Sequence, residues 1–174
     1  GLPIPGTTSL LQSLYDFSMV PKDVLAAKQA LGTAVHYACQ LDDEGDLDED
    51  SVGAELAGYL AAYRRFKGEK QPLVLMNEQP MAHPLYRYAG TVDRVMVIDG
   101  WKWVIDLKTA VALYPPVGVQ LAAYEHLIRV NRPDFGTELI RGGLKLKPDG
   151  TYQLERFKNS TDWPCFLGLL TAHN

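Results

Sequence analysis

The 174 residues are 47% hydrophobic and 22% charged, proportions that suit a single domain with a sizeable core and exclude an intrinsically disordered chain. The apolar runs are too short to span a bilayer, and no charged segment precedes an apolar one at the N-terminus, so a soluble cytoplasmic protein with no membrane partner is expected. The net charge of −4 argues against a nucleic-acid partner only at first sight, because seven of the 21 acids lie between Leu41 and Ser51, leaving 14 against the 17 bases elsewhere.

Residues 2 to 20 open with Pro3, Pro5 and Gly6, and Thr7 to Leu14 could start as a strand and continue as a helical turn. From Pro21 the apolar positions Val24, Ala27, Leu31, Ala34, Val35 and Ala38 recur at three- and four-residue spacing, which predicts an amphipathic helix to about Leu41. His36 flanks its apolar stripe with Gly32 one turn before it; the glycine either leaves room beside the imidazole or permits close helix packing. The acidic run from Leu41 to Ser51 reads as a solvated loop. Val52, Leu56, Tyr59, Leu60, Tyr63 and Phe66 trace a second helix, with Arg64, Arg65 and Lys67 in its last turn, where cations suit the helix dipole. Gly68 and Pro72 end it, and Leu73 to Pro80 is a predicted strand carrying Glu78. His83, before Pro84, is expected to be exposed.

Gly90 to Lys108 reads as a β-hairpin. Asp99-Gly100 is well suited to a two-residue type I′ turn, which sets Ile98 opposite Trp101 and, counted outward, Asp93 opposite Asp106. Directly opposed carboxylates destabilise a hairpin, and period two puts Lys108 on the face of Asp106. The pair with its lysine suggests a cradle for a divalent cation and a phosphate. Tyr88, Val92, Met96 and Ile98 are expected on one face, Val95, Val97 and Val104 on the other. Tyr114-Pro115-Pro116 reads as a loop and Val117 to Val130 as a third long helix, on which Gln120 and Tyr124 share a face and His126 is exposed. A second hairpin, Glu138 to Lys147 and Thr151 to Phe157, carries the most basic segment, including Lys145 and Lys147. A short helix from Thr161 to about Thr171 packs Phe166, Leu169 and Leu170. Cys39 and Cys165 belong to no CxxC motif and read as unrelated buried thiols. The elements amount to one α/β domain over 1–174, a mixed central sheet with helices on both faces.

Five stretches, in order, carry a resemblance: Gly32-Thr33-Ala34-Val35-His36, Glu78, Gly90-Thr91-Val92-Asp93, Ile105-Asp106-Leu107-Lys108, and Gln120-Leu121-Ala122-Ala123-Tyr124. Together they resemble the PD-(D/E)xK nuclease superfamily, in its RecB-like, phage-exonuclease branch. The resemblance implies a restriction-endonuclease-like core and a Mg²⁺- or Mn²⁺-dependent deoxyribonuclease, an exonuclease of phage DNA processing or recombination. It implies metal binding by His36, Asp93, Asp106 and the Leu107 carbonyl, a contribution from Glu78, and water activation by Lys108. Gln120 and Tyr124 would organise the site and contact nucleic acid, and the basic hairpin with Lys145 and Lys147 is where further contacts are expected. Some relatives hold an iron–sulfur cluster on four cysteines; two cysteines exclude it. The partners implied are single- or double-stranded DNA, with a homo-oligomer or a recombination protein as the protein partner. The alternatives are a catalytically silent nuclease-like module that binds DNA or serves a structural role, and a structure-specific endonuclease.

Overall fold

The structure is a computed structural model and describes residues 4–109 and 115–173. Five strands lie in chain order, β1 (Leu73–Ala82), β2 (Ala89–Ile98), β3 (Trp101–Lys108), β4 (Ile140–Leu146) and β5 (Tyr152–Phe157). All neighbours are antiparallel except β3 and β4, whose parallel pairing requires a crossover. Helix α4 (Pro115–Asn131) supplies it. The fold is therefore α/β with a five-stranded mixed sheet, and no described helix is long and apolar enough to cross a membrane.

Two apolar layers cover the sheet. On one face, Val35 and Cys39 of α2 (Lys22–Glu44) and Tyr59, Ala62, Tyr63 and Phe66 of α3 (Ala54–Lys70) pack on Met96, Ile98, Ile105, Leu107, Leu144 and Leu146. On the other, Leu10 and Leu11 of α1 (Thr7–Leu11), Leu121, Leu127 and Ile128 of α4, and Phe166 and Leu170 of α5 (Asp162–His173) pack on Val92, Val95 and Val104. Thr7 to Leu14 does not start as a strand: it is helical throughout, α1 being followed by a 3-10 turn at Gln12–Leu14, and the extended contact lies just before it, where Gly6 bridges to Ala89. Pro3 and Tyr114 lie outside the described residues, while Pro116 of the expected loop is already helical.

The hairpin turn is as expected, with φ of 51° at Asp99 and 79° at Gly100 and Ile98 paired with Trp101. Its faces are not. Tyr88 and Val92 join the layer of Val95 and Val104 instead of that of Met96 and Ile98. The alternation of β2 slips between Val92 and Val95, where its ladder with β3 ends at Arg94; the neighbouring β1 is irregular as well, with a register shift between Val74 and Met76 and a φ of 43° at Glu78.

The acidic run is only partly a loop, because α2 continues to Glu44 and closes on left-handed Gly45. Asp42 pairs with Arg64 at 2.6 Å and Lys67 at 2.5 Å, and Asp43 with Lys67 at 3.0 Å. The bases at the end of α3 thus hold α2, and α3 runs through Gly68 to Lys70. Burial also corrects three polar residues. His83 is buried, its Nδ1 accepting from the Tyr86 N–H at 3.2 Å. His126 stacks on Trp163 with centroids 3.5 Å apart. Cys165 is exposed, whereas Cys39 is buried with its thiol pushed up to about 12 by burial.

Candidate functional site

The β2–β3 ladder extends from the turn to Arg94 opposite Ile105, one pair short of Asp93 and Asp106. Beyond it, the Leu107 N–H donates to Asp93 Oδ2 at 2.8 Å, so a carboxylate follows the last backbone pair. The polar residues gather at this end of the hairpin.

Two linked clusters result. In the first, His36 Nδ1 lies 3.2 Å from Glu78 Oε1 and 3.7 Å from Asp93 Oδ2, and its Nε2 donates to the Leu107 carbonyl at 2.9 Å. One donor atom from each of His36, Glu78 and Asp93 fits within 4.8 Å of the others. Helix α2 brings His36 over the sheet from 42 residues before Glu78. A Cβ at Gly32 would meet nothing nearer than Thr109 Oγ1 at 3.7 Å, so the glycine neither relieves the imidazole nor is required by packing.

In the second, Lys108 Nζ lies 3.1 Å from Asp106 Oδ1 and 3.0 Å from Oδ2, only the first with hydrogen-bond geometry. It also donates to Gln120 Oε1 at 3.1 Å, and Gln120 Nε2 donates to the Tyr124 hydroxyl at 2.7 Å. The i, i+4 spacing of Gln120 and Tyr124 on α4 therefore works to steer a lysine on β3. Both are buried, as is Asp106. Gly90 admits this packing: a Cβ there would stand 2.6 Å from Thr7 Oγ1 and 3.1 Å from Tyr124 Cε1. Lys145 on β4 is buried and registers beside Lys108, while Lys147 is half-buried. The basic hairpin is not a uniformly open surface, since Arg141 is engaged by Asp162 at 2.8 Å and by the carbonyls of Gly118 and Asn159.

Electrostatics follow from this crowding. Burial alone would discharge His36, but Asp93 and then Glu78 favour the charged imidazole and raise it to about 9. Burial raises the Asp93 carboxyl, with His36 opposing and Asp106 reinforcing. Burial opposes the Lys108 ammonium as well, yet Asp106 and Asp93 outweigh it and hold its pKa above the usual lysine value. For Glu78, burial is outweighed by His36 and Arg94, and its pKa is lowered.

Sequence reasoning missed Arg94. It is fully buried, donating from Nη1 to Glu78 Oε1 at 2.8 Å and to the Asp93 carbonyl at 2.7 Å, and from Nε to Asp43 Oδ2 at 2.9 Å. The available signal was a charged residue inside a strand of apolar neighbours, whose burial demands partners.

The donor set of carboxylates, a carbonyl and one imidazole suits a hard or borderline divalent cation such as Mg²⁺ or Mn²⁺. Asp106 Oδ2, buried and without a hydrogen bond, is a further oxygen of the same kind. No family model matches the chain, and no curated protein matches it either.

Proposed function

We propose that the chain is a divalent-metal-dependent deoxyribonuclease with a restriction-endonuclease-like core, related to the PD-(D/E)xK superfamily and acting as an exonuclease in phage DNA processing or recombination. The observation that carries this reading is the convergence of the His36–Glu78–Asp93 group and the Asp106–Lys108–Gln120–Tyr124 chain on one end of a hairpin. A structural salt bridge accounts for Lys108 and Asp106 but gives no reason for three further ionisable groups beside them.

In this reading His36, having given up a ring proton, would hold the cation together with Asp93, Asp106 and the Leu107 carbonyl, with Glu78 within reach of it. The chemistry such an ion supplies is Lewis-acid polarisation of a phosphodiester and stabilisation of the charge that grows during in-line displacement. Lys108, held protonated by Asp106 and Asp93, is suited to orient a water by hydrogen bonding and to offset charge on the phosphate oxygens. A protonated lysine is no base, so proton acceptance falls to a carboxylate. Gln120 fixes the ammonium by accepting a hydrogen bond from it, and Tyr124 fixes Gln120 by accepting one from its amide. Lys145 and Lys147 are assigned to the path of the DNA.

The test is digestion of end-labelled linear single- and double-stranded DNA with Mg²⁺ or Mn²⁺. Metal-dependent release of nucleotides by the wild type, lost in Asp106→Ala, is expected. Equal cleavage by both proteins, or none of any DNA form, refutes the nuclease reading; DNA binding without cleavage favours a silent binding module.

A further inference from the structure

We propose that Arg94 is a positioning residue: it holds Glu78 and the Asp93 backbone in the arrangement that takes the cation, and Asp43 on α2 anchors it. The proposal rests on the metal-dependent reading above and goes beyond it, to a residue that touches neither metal nor substrate.

Three observations combine. A fully buried guanidinium is costly unless its N–H groups are met, and here Nε and Nη1 are met while Nη2 has no hydrogen-bond partner. Arg94 spends Nε on Asp43 and Nη1 on Glu78 and the Asp93 carbonyl, reaching across β1 and β2 to the candidate site. Second, Asp43 is itself fixed, taking the Tyr63 hydroxyl at 2.7 Å and Lys67 Nζ at 3.0 Å. The guanidinium therefore hangs from a rigid support between α2 and α3. Third, Glu78 is the least comfortable residue of β1, with a φ of 43° that a side chain bearing a Cβ rarely adopts. Such a conformation persists only where the surroundings over-determine it. Arg94 Nη1 and His36 Nδ1 both converge on Glu78 Oε1, which fixes the carboxylate from two sides.

Charge and position make opposite demands. A guanidinium so near the site repels a divalent cation, so if Arg94 only contributed charge, its removal would tighten metal binding. If it positions ligands, removal loosens binding despite the loss of a positive charge.

The experiment is calorimetric titration with Mn²⁺ of the wild type, Arg94→Gln, Arg94→Lys and Asp43→Asn, with circular dichroism and thermal unfolding for each. Arg94→Gln is expected to bind Mn²⁺ about 10- to 100-fold more weakly, the range typical of groups that orient metal ligands. Arg94→Lys keeps the charge but cannot serve Glu78, Asp93 and Asp43 together, and is expected to remain weaker than wild type. Asp43→Asn, whose partners Arg94, Tyr63 and Lys67 are not among the proposed ligands, is expected to weaken binding in the same direction. In digestion assays kcat is expected to fall with KM for DNA unchanged. Should Arg94→Gln fail to fold, Arg94→Lys and Asp43→Asn decide the matter. Unchanged or tighter Mn²⁺ binding in the folded variants overturns the proposal and leaves the nuclease reading standing. A wild type that binds no Mn²⁺ overturns the metal reading itself, and this inference with it.

Discussion

Lys108 shows how much one side chain depends on its neighbours. Its ammonium is held by Asp106 and Gln120, and Gln120 in turn by Tyr124. Lys108→Met is expected to lower kcat by about 100- to 1,000-fold, the scale for losing one well-placed donor to a developing charge, with little loss of DNA binding in gel-shift titration. Tyr124→Phe removes the acceptor of a buried amide N–H and is expected to cost about 1–3 kcal/mol. At roughly 2–4 °C per kcal/mol for a domain of this size, calorimetry resolves that change. The spacings of Asp106 with Lys108 and of Gln120 with Tyr124 were legible because each lies within one strand or one helix. The motif order also pointed to His36 and Glu78. Arg94 and Asp43 were not legible: they are 51 residues apart, and only the docking of α2 on β2 makes them partners. His83 was misread for the same reason, its burial depending on Tyr86 and Tyr88 folding over it.

Elements meet where local sequence says little. Helix α3 crosses the β4–β5 connection so closely that a Cβ at Gly58 would stand 1.8 Å from the Pro148 carbonyl oxygen. Gly58→Ala must displace backbone, and the expected cost is at least the roughly 1–3 kcal/mol of an overpacked core, read from the midpoint of urea unfolding. Helices α4 and α5 are joined by the His126–Trp163 stack, where burial first, and Arg129 second, lower the His126 pKa from 6.5 to about 4. Between those values only the unfolded chain takes up the proton. His126 therefore contributes stability that is present above pH 6.5 and lost as pH falls towards 4. Melting temperatures measured from pH 7.5 to 4.5 are expected to fall less steeply in His126→Phe than in wild type. The β2–β3 hairpin was legible to the residue near its turn because Asp99-Gly100 is local turn chemistry. Its far end was not, since the alternation of β2 slips between Val92 and Val95, away from the turn and where the ladder with β3 stops.

For the whole molecule, the two apolar layers leave the polar cluster between α2, α4 and the end of one hairpin, so that a bound cation would tie both layers to the sheet. Mn²⁺ at about 100 times its dissociation constant is expected to add roughly 2.7 kcal/mol of stability, seen as a raised melting temperature that EDTA reverses and Asp93→Ala abolishes. A melting point indifferent to Mn²⁺ counts against the metal site irrespective of any activity assay. The α/β class and the succession of strands and helices could be read from periodicity. The acidic run could not, because its charge masked a helix whose acids are matched by bases on α3.

The sheet order repeats the chain order, and that bears on how the protein is made. Each strand can be added to the edge left by the one before, so no later strand has to force its way between two already paired. All the candidate site residues except Lys145 and Lys147 have emerged once α4 is complete, yet β3 then still lacks its parallel partner β4. A chain stopped at Asn131 would carry Asp93, Asp106 and Lys108 beside an open strand edge, the kind of edge that recruits a second chain. Such a fragment is expected to form large, polydisperse aggregates in light scattering that the full chain does not form, which makes β4 and β5 guardians of the site's solubility during synthesis.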